Sequence, residues 1–304
     1  MTLKTKKSFT FYLTLVLITS VFCISAIGQT DLNKQNWIHG SEDCEKNTDE
    51  PIQVVQYDES TWILRQNMCT NYEAPFMFLF LGQKKALLMD TGATREEEYF
   101  PLYKTVNIIV DTWQKQQNKK IELIVAHTHK HGDHFSADTQ FKEKANTTIV
   151  GLEKTDVIDF FKLTSWPTDI VDFELGNRIL KIVPIPGHQE ASIAIYDTSS
   201  KLLLTGDTFY PGRLYVEDWS SFKTSVNRLV EFSKKHEIKY ILGNHIEMTS
   251  TDGVDFPMGS TNHPEEHKLP LNVEDLESLQ SSLNNLGDKP TKKAHKNFII
   301  YPIN

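Results

Sequence analysis

The sequence predicts an α/β fold in which a sheet core is covered by helices. Strand-like and helix-like runs alternate along most of the chain, which is the pattern of such folds. The composition is that of a globular protein, with 39% hydrophobic and 24% charged residues. After the first thirty residues, no internal repeat, low-complexity tract or Pro/Gly-rich linker divides the chain, so we expect one continuous domain.

The first predicted elements are two buried strands and a helix. Residues 76–81 and 85–90 are apolar runs separated by a short turn, which indicates a hairpin. Residues 102–117 carry apolar side chains at helical spacing and follow Pro101, a residue suited to the start of a helix. A short strand at 121–126 then leads into a loop rich in histidine.

The later elements continue the alternation. We expect strands at residues 147–151, 178–185, 191–196, 201–205, 238–242 and 298–301, and helices at 222–232 and 273–286. Gly287 is placed to end the second of these helices. Residues 29–75 are expected to form an N-terminal extension with the first strands, and residues 76–304 the main domain.

The first 28 residues have the pattern of a secretory signal peptide. Three lysines precede an uncharged stretch at residues 8–30, and Ala26 and Gly28 stand at −3 and −1 of a cleavage site before Gln29. The expected location is therefore periplasmic or secreted, with no membrane attachment after cleavage. An uncleaved anchor is the alternative, because the uncharged stretch is long enough to span a bilayer.

Cysteine content and charge bear on the compartment and the partners. Cys44 and Cys69 remain after cleavage and could form a disulfide in an oxidising compartment, with two free thiols as an equally weighted alternative. The 40 acidic residues outnumber the 32 basic ones, and the net charge is −8. This balance argues against a nucleic-acid partner.

The loop at residues 127–134 holds four of the eleven histidines. Side chains two apart in an extended segment project to the same side, so His129 and His131 can face one cation. Gly132 then allows a turn, after which Asp133 and His134 can face a second cation. Imidazole and carboxylate ligands suit zinc, with iron or manganese as alternatives, and the cysteines typical of structural zinc sites are absent from the loop.

Three further polar residues follow apolar strands, where α/β sheets gather their ligands. They are His188, Asp207 and His245. Each is a weak signal alone, but together with the histidine loop they complete a candidate dinuclear metal site. His263 and His267 compete with His245 for the last ligand position; because they lie in a polar stretch between prolines, we expect them at the rim of the pocket.

These motifs resemble the metallo-β-lactamase superfamily. The Thr-His-x-His-x-Asp-His signature is present at residues 128–134, and the motif order matches from the Asp-Thr-Gly turn at residues 90–92 to the last histidine. The resemblance implies a four-layer αβ/βα sandwich. It also implies two zinc ions, the first bound by His129, His131 and His188, the second by Asp133, His134 and His245, with Asp207 bridging them.

The resemblance also implies roles for nearby residues and a reaction. A hydroxide held between the ions would attack a carbonyl or phosphorus centre, with Asp133 helping to orient it. Asp90 resembles the structural aspartate of the family, and His127, which the signature does not use, is expected in the core or beside a ligand. The candidate pocket aromatics, each as often part of a core, are Trp166, Tyr210, Tyr215 and Trp219.

Asp207 narrows the expected activity. Its Gly-Asp-Thr context resembles hydroxyacylglutathione hydrolases and lactonases, whereas antibiotic-hydrolysing members generally place Cys or Ser there. We therefore expect an exported hydrolase that cleaves an ester, lactone, thioester or amide-type bond of a small molecule. The alternatives are an exported β-lactamase, an iron-dependent oxidoreductase of the sulfur dioxygenase type, and a non-catalytic metal-binding protein.

Overall fold

The computed structural model describes residues 28–303 of the 304-residue chain. The predicted signal peptide, except for Gly28, lies outside these residues. Fourteen strands and six α-helices are present among the described residues. The strands are β1 (Ile52–Asp58), β2 (Thr61–Gln66), β3 (Phe76–Leu81), β4 (Lys85–Met89), β5 (Glu122–Ala126), β6 (Thr147–Ile149), β7 (Val171–Glu174), β8 (Ile179–Pro184), β9 (Ile193–Asp197), β10 (Leu202–Gly206), β11 (Arg213–Val216), β12 (Tyr240–Gly243), β13 (Lys293–Ala294) and β14 (Ile299–Pro302). The helices are α1 (Leu102–Gln117), α2 (Gly132–Phe135), α3 (Asp138–Phe141), α4 (Lys154–Phe161), α5 (Trp219–Ser233) and α6 (Val273–Leu286).

Two large sheets form the body of the molecule. The first has the strand order β1-β2-β3-β4-β5-β6 and is antiparallel up to β4, after which β5 and β6 run parallel to it. The second has the order β12-β10-β9-β8-β7, with β12 parallel to β10 and the remaining pairs antiparallel. A three-stranded sheet, β11-β14-β13, accompanies them. Among residues 28–303, no helix is both long enough and apolar enough to cross a membrane.

Alternate residues of each strand pack into different layers. Leu87 and Met89 of β4 lie between the two large sheets, whereas Leu88 lies in the layer under α1. In the second sheet, Leu204 shares the inner layer and Leu203 packs with α5 and α6. All five are fully buried, and each such side chain contributes about 1.5–3 kcal/mol. The helix–sheet–sheet–helix order confirms the predicted four-layer αβ/βα sandwich.

The N-terminal extension is attached to the sandwich at several points. Cys44 and Cys69 form a disulfide with a Cα–Cα distance of 5.1 Å, so the sequence alternative of two free thiols does not hold. The extension also contacts the segment at residues 261–263, where Ser41 N donates to the carbonyl of Thr261 and His263 N donates to the carbonyl of His39. Strands β1 and β2 pair directly with β3 in the first sheet. The extension therefore connects two loops that lie beside the site described next.

Candidate metal centre

The first group of candidate ligands comprises His129, His131 and His188. His129 and His131 follow β5, and His188 follows β8. Nδ1 of His131 lies 3.1 Å from Nε2 of His129 and 3.0 Å from Nε2 of His188, and those two Nε2 atoms are 3.1 Å apart. Tetrahedral zinc with nitrogen ligands places them about 3.3 Å from one another. Three imidazole nitrogens facing a common point therefore fit one metal ion.

The other nitrogen of each of these rings is held by a neighbouring group. Nδ1 of His188 donates to the carbonyl of Tyr215 at 2.7 Å, and Nε2 of His131 lies 3.2 Å from a carboxylate oxygen of Glu217. Nδ1 of His129 is 3.1 Å from the hydroxyl of Thr128. Such contacts fix the tautomer and leave the inward-facing nitrogen with its lone pair free to bind a metal.

The second group comprises Asp133, His134 and His245. Asp133 and His134 lie on the short helix α2, and His245 follows β12. Oδ2 of Asp133 is 3.1 Å from Nε2 of His134 and 3.2 Å from Nε2 of His245. Nδ1 of His245 donates to the carbonyl of Glu73 at 2.8 Å, which turns its Nε2 toward the group.

Asp207, at the end of β10, lies between the two groups. Its Oδ2 atom is 3.4 Å from Nε2 of both His134 and His245, and 3.8 Å from Nε2 of both His129 and His188. Within each group, counting Asp207 with the second, the candidate ligand atoms all lie within 4.8 Å of one another. A carboxylate in this position can contact two ions at once.

Unsatisfied polar atoms support the same interpretation. Among residues 28–303, Oδ1 of Asp207 and Nε2 of His134 and His245 are buried without a hydrogen-bond partner. Buried polar atoms of this kind cost free energy unless something binds them, and a metal ion satisfies all three. The donor set of imidazoles and carboxylates therefore fits divalent ions such as zinc.

The ionisation states of His129, His188 and Asp207 suit metal binding. Burial, together with the neighbouring histidines, lowers the pKa of His129 well below its ordinary value, and burial likewise lowers the pKa of His188. Both rings are therefore neutral, as ligands must be. Burial alone would raise the pKa of Asp207, but the imidazoles of His245 and His134 hold it well below its usual range. The carboxylate is thus ionised and can offset the charge of two cations. Burial alone would lower the pKa of His134 and His245, but the carboxylates of Asp133 and Asp207 raise both well above the ordinary value. These two rings must therefore release a proton when a metal ion binds.

The metal loop is supported from behind by buried contacts. Asp90, fully buried and with a left-handed φ of 69°, accepts hydrogen bonds from Thr128 N at 2.8 Å, the Thr128 hydroxyl at 2.9 Å and Asn244 Nδ2 at 2.7 Å. Nε2 of His127 lies 2.9 Å from Oδ1 of Asp138. Asp90 and His127 both lie outside the two groups. This agrees with the supporting roles expected for them.

The remaining candidates take other positions. His263 and His267 lie in neither group; Nδ1 of His263 donates to the carbonyl of Ile246, while Nδ1 of His267 donates to that of Lys268. Of the four aromatics considered for the pocket, Trp166 and Trp219 pack against the apolar cores and Tyr210 is buried among them. Only Tyr215 lines a cavity beside the site.

Some contributors were not predicted from the sequence. The backbone carbonyl of Glu73 and the carboxylates of Glu217 and Asp138 hold histidine rings in place, and none of the three residues belongs to a recognisable motif. Asp138 lies four residues after the histidine signature, at the start of α3. Its closeness to that signature is the sequence feature that could have identified it. Glu73 and Glu217 reach the site only through long-range packing.

Comparison with known proteins is consistent with this geometry. The model of the metallo-beta-lactamase superfamily matches residues 73–245, more than half of the chain. An acyl-coenzyme A thioesterase of Homo sapiens is 25% identical over 203 residues, covering 56% of this chain and 72% of its own length. The hydroxyacylglutathione hydrolase of Pelagibacter ubique is 28% identical over 127 residues, covering 40% of this chain and 52% of its own.

A solved structure shows the same fold. The metallo-beta-lactamase from Pontibacter korlensis superposes with a TM-score of 0.51 at 15% sequence identity, covering 77% of this chain and 99% of its own. At 15% sequence identity, this similarity shows only that the two proteins share a fold. The family match spans the hairpin, the histidine loop and all seven candidate ligands, and the chain belongs to the metallo-β-lactamase superfamily.

Proposed function

We propose that this protein is an exported hydrolase that uses two divalent metal ions, most simply zinc, to cleave an acyl bond of a small molecule. The observation that carries the proposal is the convergence of seven ligand atoms into two adjoining groups with Asp207 between them. The acyl bond is a thioester, ester, lactone or amide. No serine or cysteine nucleophile is required.

Each residue has a distinct role in this proposal. Bound divalent ions would supply a hydroxide from water at neutral pH and polarise the substrate carbonyl. His129, His131 and His188 would hold the first ion, Asp133, His134 and His245 the second, and Asp207 would offset the charge of both. The side chain of Asp133 is 20% exposed while those of His134 and His245 are almost fully buried. Asp133 is therefore the member of its group that can accept a hydrogen bond from an attacking nucleophile and orient it.

The relatives favour a carbonyl centre over a phosphorus centre. The two reported above are named as hydrolases of acyl thioesters, one of an acyl-coenzyme A and the other of a hydroxyacylglutathione. The acidic surroundings favour a less charged carrier than coenzyme A. Glu217, whose side chain is 44% exposed, lies 3.2 Å from Nε2 of His131, and the net charge of the whole chain is −8. These charges would repel a polyanionic substrate.

Export is supported by the signal-like N-terminus and by the Cys44–Cys69 disulfide, because such bonds persist mainly in oxidising compartments. The test is the intact mass of the protein recovered from its producing cell. We expect Gln29 at the N-terminus. A membrane-bound chain that retains Met1 would support the anchor instead.

The activity is tested with purified chain stripped of metal and reloaded with Zn²⁺, Fe²⁺ or Mn²⁺. We expect close to two equivalents of zinc and turnover of a thioester or ester. Nitrocefin and a phosphodiester serve as the comparison substrates. His131→Ala should lose metal and activity together, and His267→Ala, a histidine outside both groups, is the matched control. The proposal fails if the loaded protein binds one equivalent or less, or if His131→Ala keeps full turnover.

A further inference from the structure

A cavity of about 180 Å³ lies directly beside the second group of candidate ligands. One wall comes from the loop between β2 and β3, including Met68 and Tyr72, and another from the segment around Met258 and His263. His245 itself forms part of the wall, so a group in the cavity adjoins the metal centre. We call this cavity the acyl pocket.

Apart from Glu73, whose carboxylate would itself repel an anion, the charged side chains that line the acyl pocket have partners. The guanidinium of Arg213 contacts the carboxylates of Glu247 and Asp255 as well as the carbonyl of Phe256. The same Glu247 carboxylate also accepts from the backbone N of Arg213 and from the hydroxyl of Tyr210. Because these groups satisfy one another, they offer no counter-ion for a charged ligand, and burying such a ligand would be costly.

His263 is one of the polar side chains of the pocket whose hydrogen bonding is incomplete. Its ring stacks on Phe256 at a centroid distance of 4.1 Å, and its Nδ1 donates to the carbonyl of Ile246 at 3.2 Å. Its Nε2 has no hydrogen-bond partner within residues 28–303. Burial, followed by the positive charges of Arg65 and Arg213, lowers the pKa of His263 to about 4. The ring is therefore neutral at ordinary pH, and with the proton on Nδ1 its Nε2 is an acceptor.

The size of the cavity limits its occupant. An apolar cavity of about 150 Å³ holds one benzene molecule. A volume of 180 Å³ therefore accommodates a six-membered ring or a chain of about six carbons. A long fatty chain does not fit, and its end would extend out of the pocket. The wall with Met68 and Tyr72 belongs to the N-terminal extension and is held by the Cys44–Cys69 disulfide, and the other wall is attached to the extension through the bridge between Gly40 and Asn262. Because the walls are held in place, the pocket should select acyl groups by their size and should not widen to fit larger ones.

We propose that the acyl pocket binds the acyl side of the substrate and selects small, uncharged acyl groups, with Nε2 of His263 accepting a hydrogen bond from a hydroxyl on that group. This inference rests on the proposed function, because it assumes that the scissile carbonyl lies at the metal centre. It names the substrate class as thioesters or esters of short or aromatic acids, preferably hydroxylated. Met258, which is 67% exposed at the pocket, is placed to limit the length of the chain.

The first experiment measures kcat/KM for thioesters that share one small, uncharged thiol and differ in the acyl group. We expect the butanoyl, hexanoyl and benzoyl thioesters to have the highest kcat/KM and the decanoyl thioester a value at least 10-fold lower. The succinyl thioester, which carries a carboxylate, should have a kcat/KM at least 10-fold below that of the butanoyl thioester. Met258→Ala should raise the kcat/KM of the decanoyl thioester relative to that of the hexanoyl thioester. Val254→Ala, which trims an exposed residue of the same segment outside the pocket lining, should leave the ratio unchanged.

The second experiment tests His263. In the wild type, 2-hydroxybutanoyl should be favoured over butanoyl. His263→Phe keeps an aromatic ring against Phe256 and removes Nε2, so this preference should fall about 10-fold, the effect of one hydrogen bond. His263→Gln, which restores a polar group near that position, should recover part of it. An unchanged preference in a folded, metal-loaded His263→Phe protein would overturn the role of His263.

A binding measurement separates this inference from the proposed function. Calorimetric titration with hexanamide, benzamide and decanamide needs no turnover, and we expect the two small amides to bind more tightly than the long one. Hydrolysis without a preference for short, neutral acyl groups would refute the pocket and leave the hydrolase intact. Amide binding that depends on Met258, in a metal-loaded protein that hydrolyses no ester or thioester, would refute the proposed function and leave a binding site for a small neutral group.

Discussion

Replacing Asp90 with asparagine should destabilise the fold more than a one-atom change would suggest. The two carboxylate oxygens accept three hydrogen bonds, two from Thr128 and one from Nδ2 of Asn244. The side chain is fully buried, so water cannot replace any of these partners. The Thr128 hydroxyl, which donates to Asp90, in turn faces Nδ1 of His129 at 3.1 Å. Asp90 therefore helps to fix the tautomer of one candidate ligand.

The magnitude follows from counting acceptors. Asparagine keeps one oxygen, and its amide group then faces at least one of the two N–H donors of Thr128 and Asn244. Hydrogen bonds to charged groups contribute about 1.5–3 kcal/mol each, and at least one is lost, which also leaves a buried N–H without an acceptor at a further cost of about 1–3 kcal/mol. We expect Asp90→Asn to lose about 3–5 kcal/mol of unfolding free energy, a large share of the 5–15 kcal/mol typical of a folded protein.

Urea unfolding of the metal-free protein measures this loss. With a slope near 3 kcal/mol per M for a chain of this size, the midpoint should fall by about 1–1.7 M. Asp172→Asn is the control, because Asp172 forms an exposed pair with Lys181 and should change the midpoint little. A midpoint for Asp90→Asn within about 0.3 M of the wild type would refute the reasoning, since a loss below 1 kcal/mol is incompatible with three buried bonds to a carboxylate.

Three further changes have defined outcomes. Asp207→Asn should keep the fold but lower metal content toward one equivalent and kcat by about 10²-fold, because repulsion between two ions is less compensated; elemental analysis showing two tightly bound ions would contradict this. Replacing Cys44 and Cys69 by serine should lower unfolding free energy by about 3 kcal/mol, and an unchanged urea midpoint would show that the bond adds no stability. Burial would raise the pKa of Asp197, but the hydrogen bond and charge of Arg178 lower this pKa below its ordinary value. The ionised carboxylate therefore stabilises the fold at pH values above its unfolded pKa of about 3.9. This stabilisation is lost as the pH falls through the pKa of Asp197 in the folded protein. Asp197→Asn should accordingly be destabilising at pH 7 and much less so near pH 3, and an equal difference at both pH values would exclude the pair as the cause.

The sequence predicted the longer elements well because their apolar periodicity is strong. The helices predicted at 102–117 and 273–286 have those same bounds in the structure. The helix predicted at 222–232 begins three residues earlier, at Trp219, because the side chain of Asp218 accepts a hydrogen bond from Ser221 N and caps it. Short elements gave no usable pattern, and the prediction omitted β7, β11, β13, α2, α3 and α4. Most of these are four residues long or less, too short for a period to show.

The candidate ligands could be predicted because each stands at a position fixed by local structure. A residue that closely follows a strand lies near the sheet edge, and Asp207, His245 and His188 come one, two and four residues after the ends of β10, β12 and β8. The groups that orient the rings are different. Glu73 contacts His245 across 172 positions of the chain, and Glu217 contacts His131 across 86. Such pairs have no local signature and appear only when the two sheets are packed together.

The acyl pocket shows why the reaction type was easier to infer than the substrate. Metal ligands must have particular chemistry, so a loop with His129, His131 and Asp133 is informative by composition alone. A pocket for a small neutral group needs only shape, and its wall includes methionine and proline, residues that form no recognisable sequence motif for a ligand. Its shape depends on the extension that joins Cys69 to one side and pairs with Asn262 on the other. Substrate selection is therefore a property of long-range contacts between loops, and changes in those contacts can alter the substrate while the metal ligands stay the same.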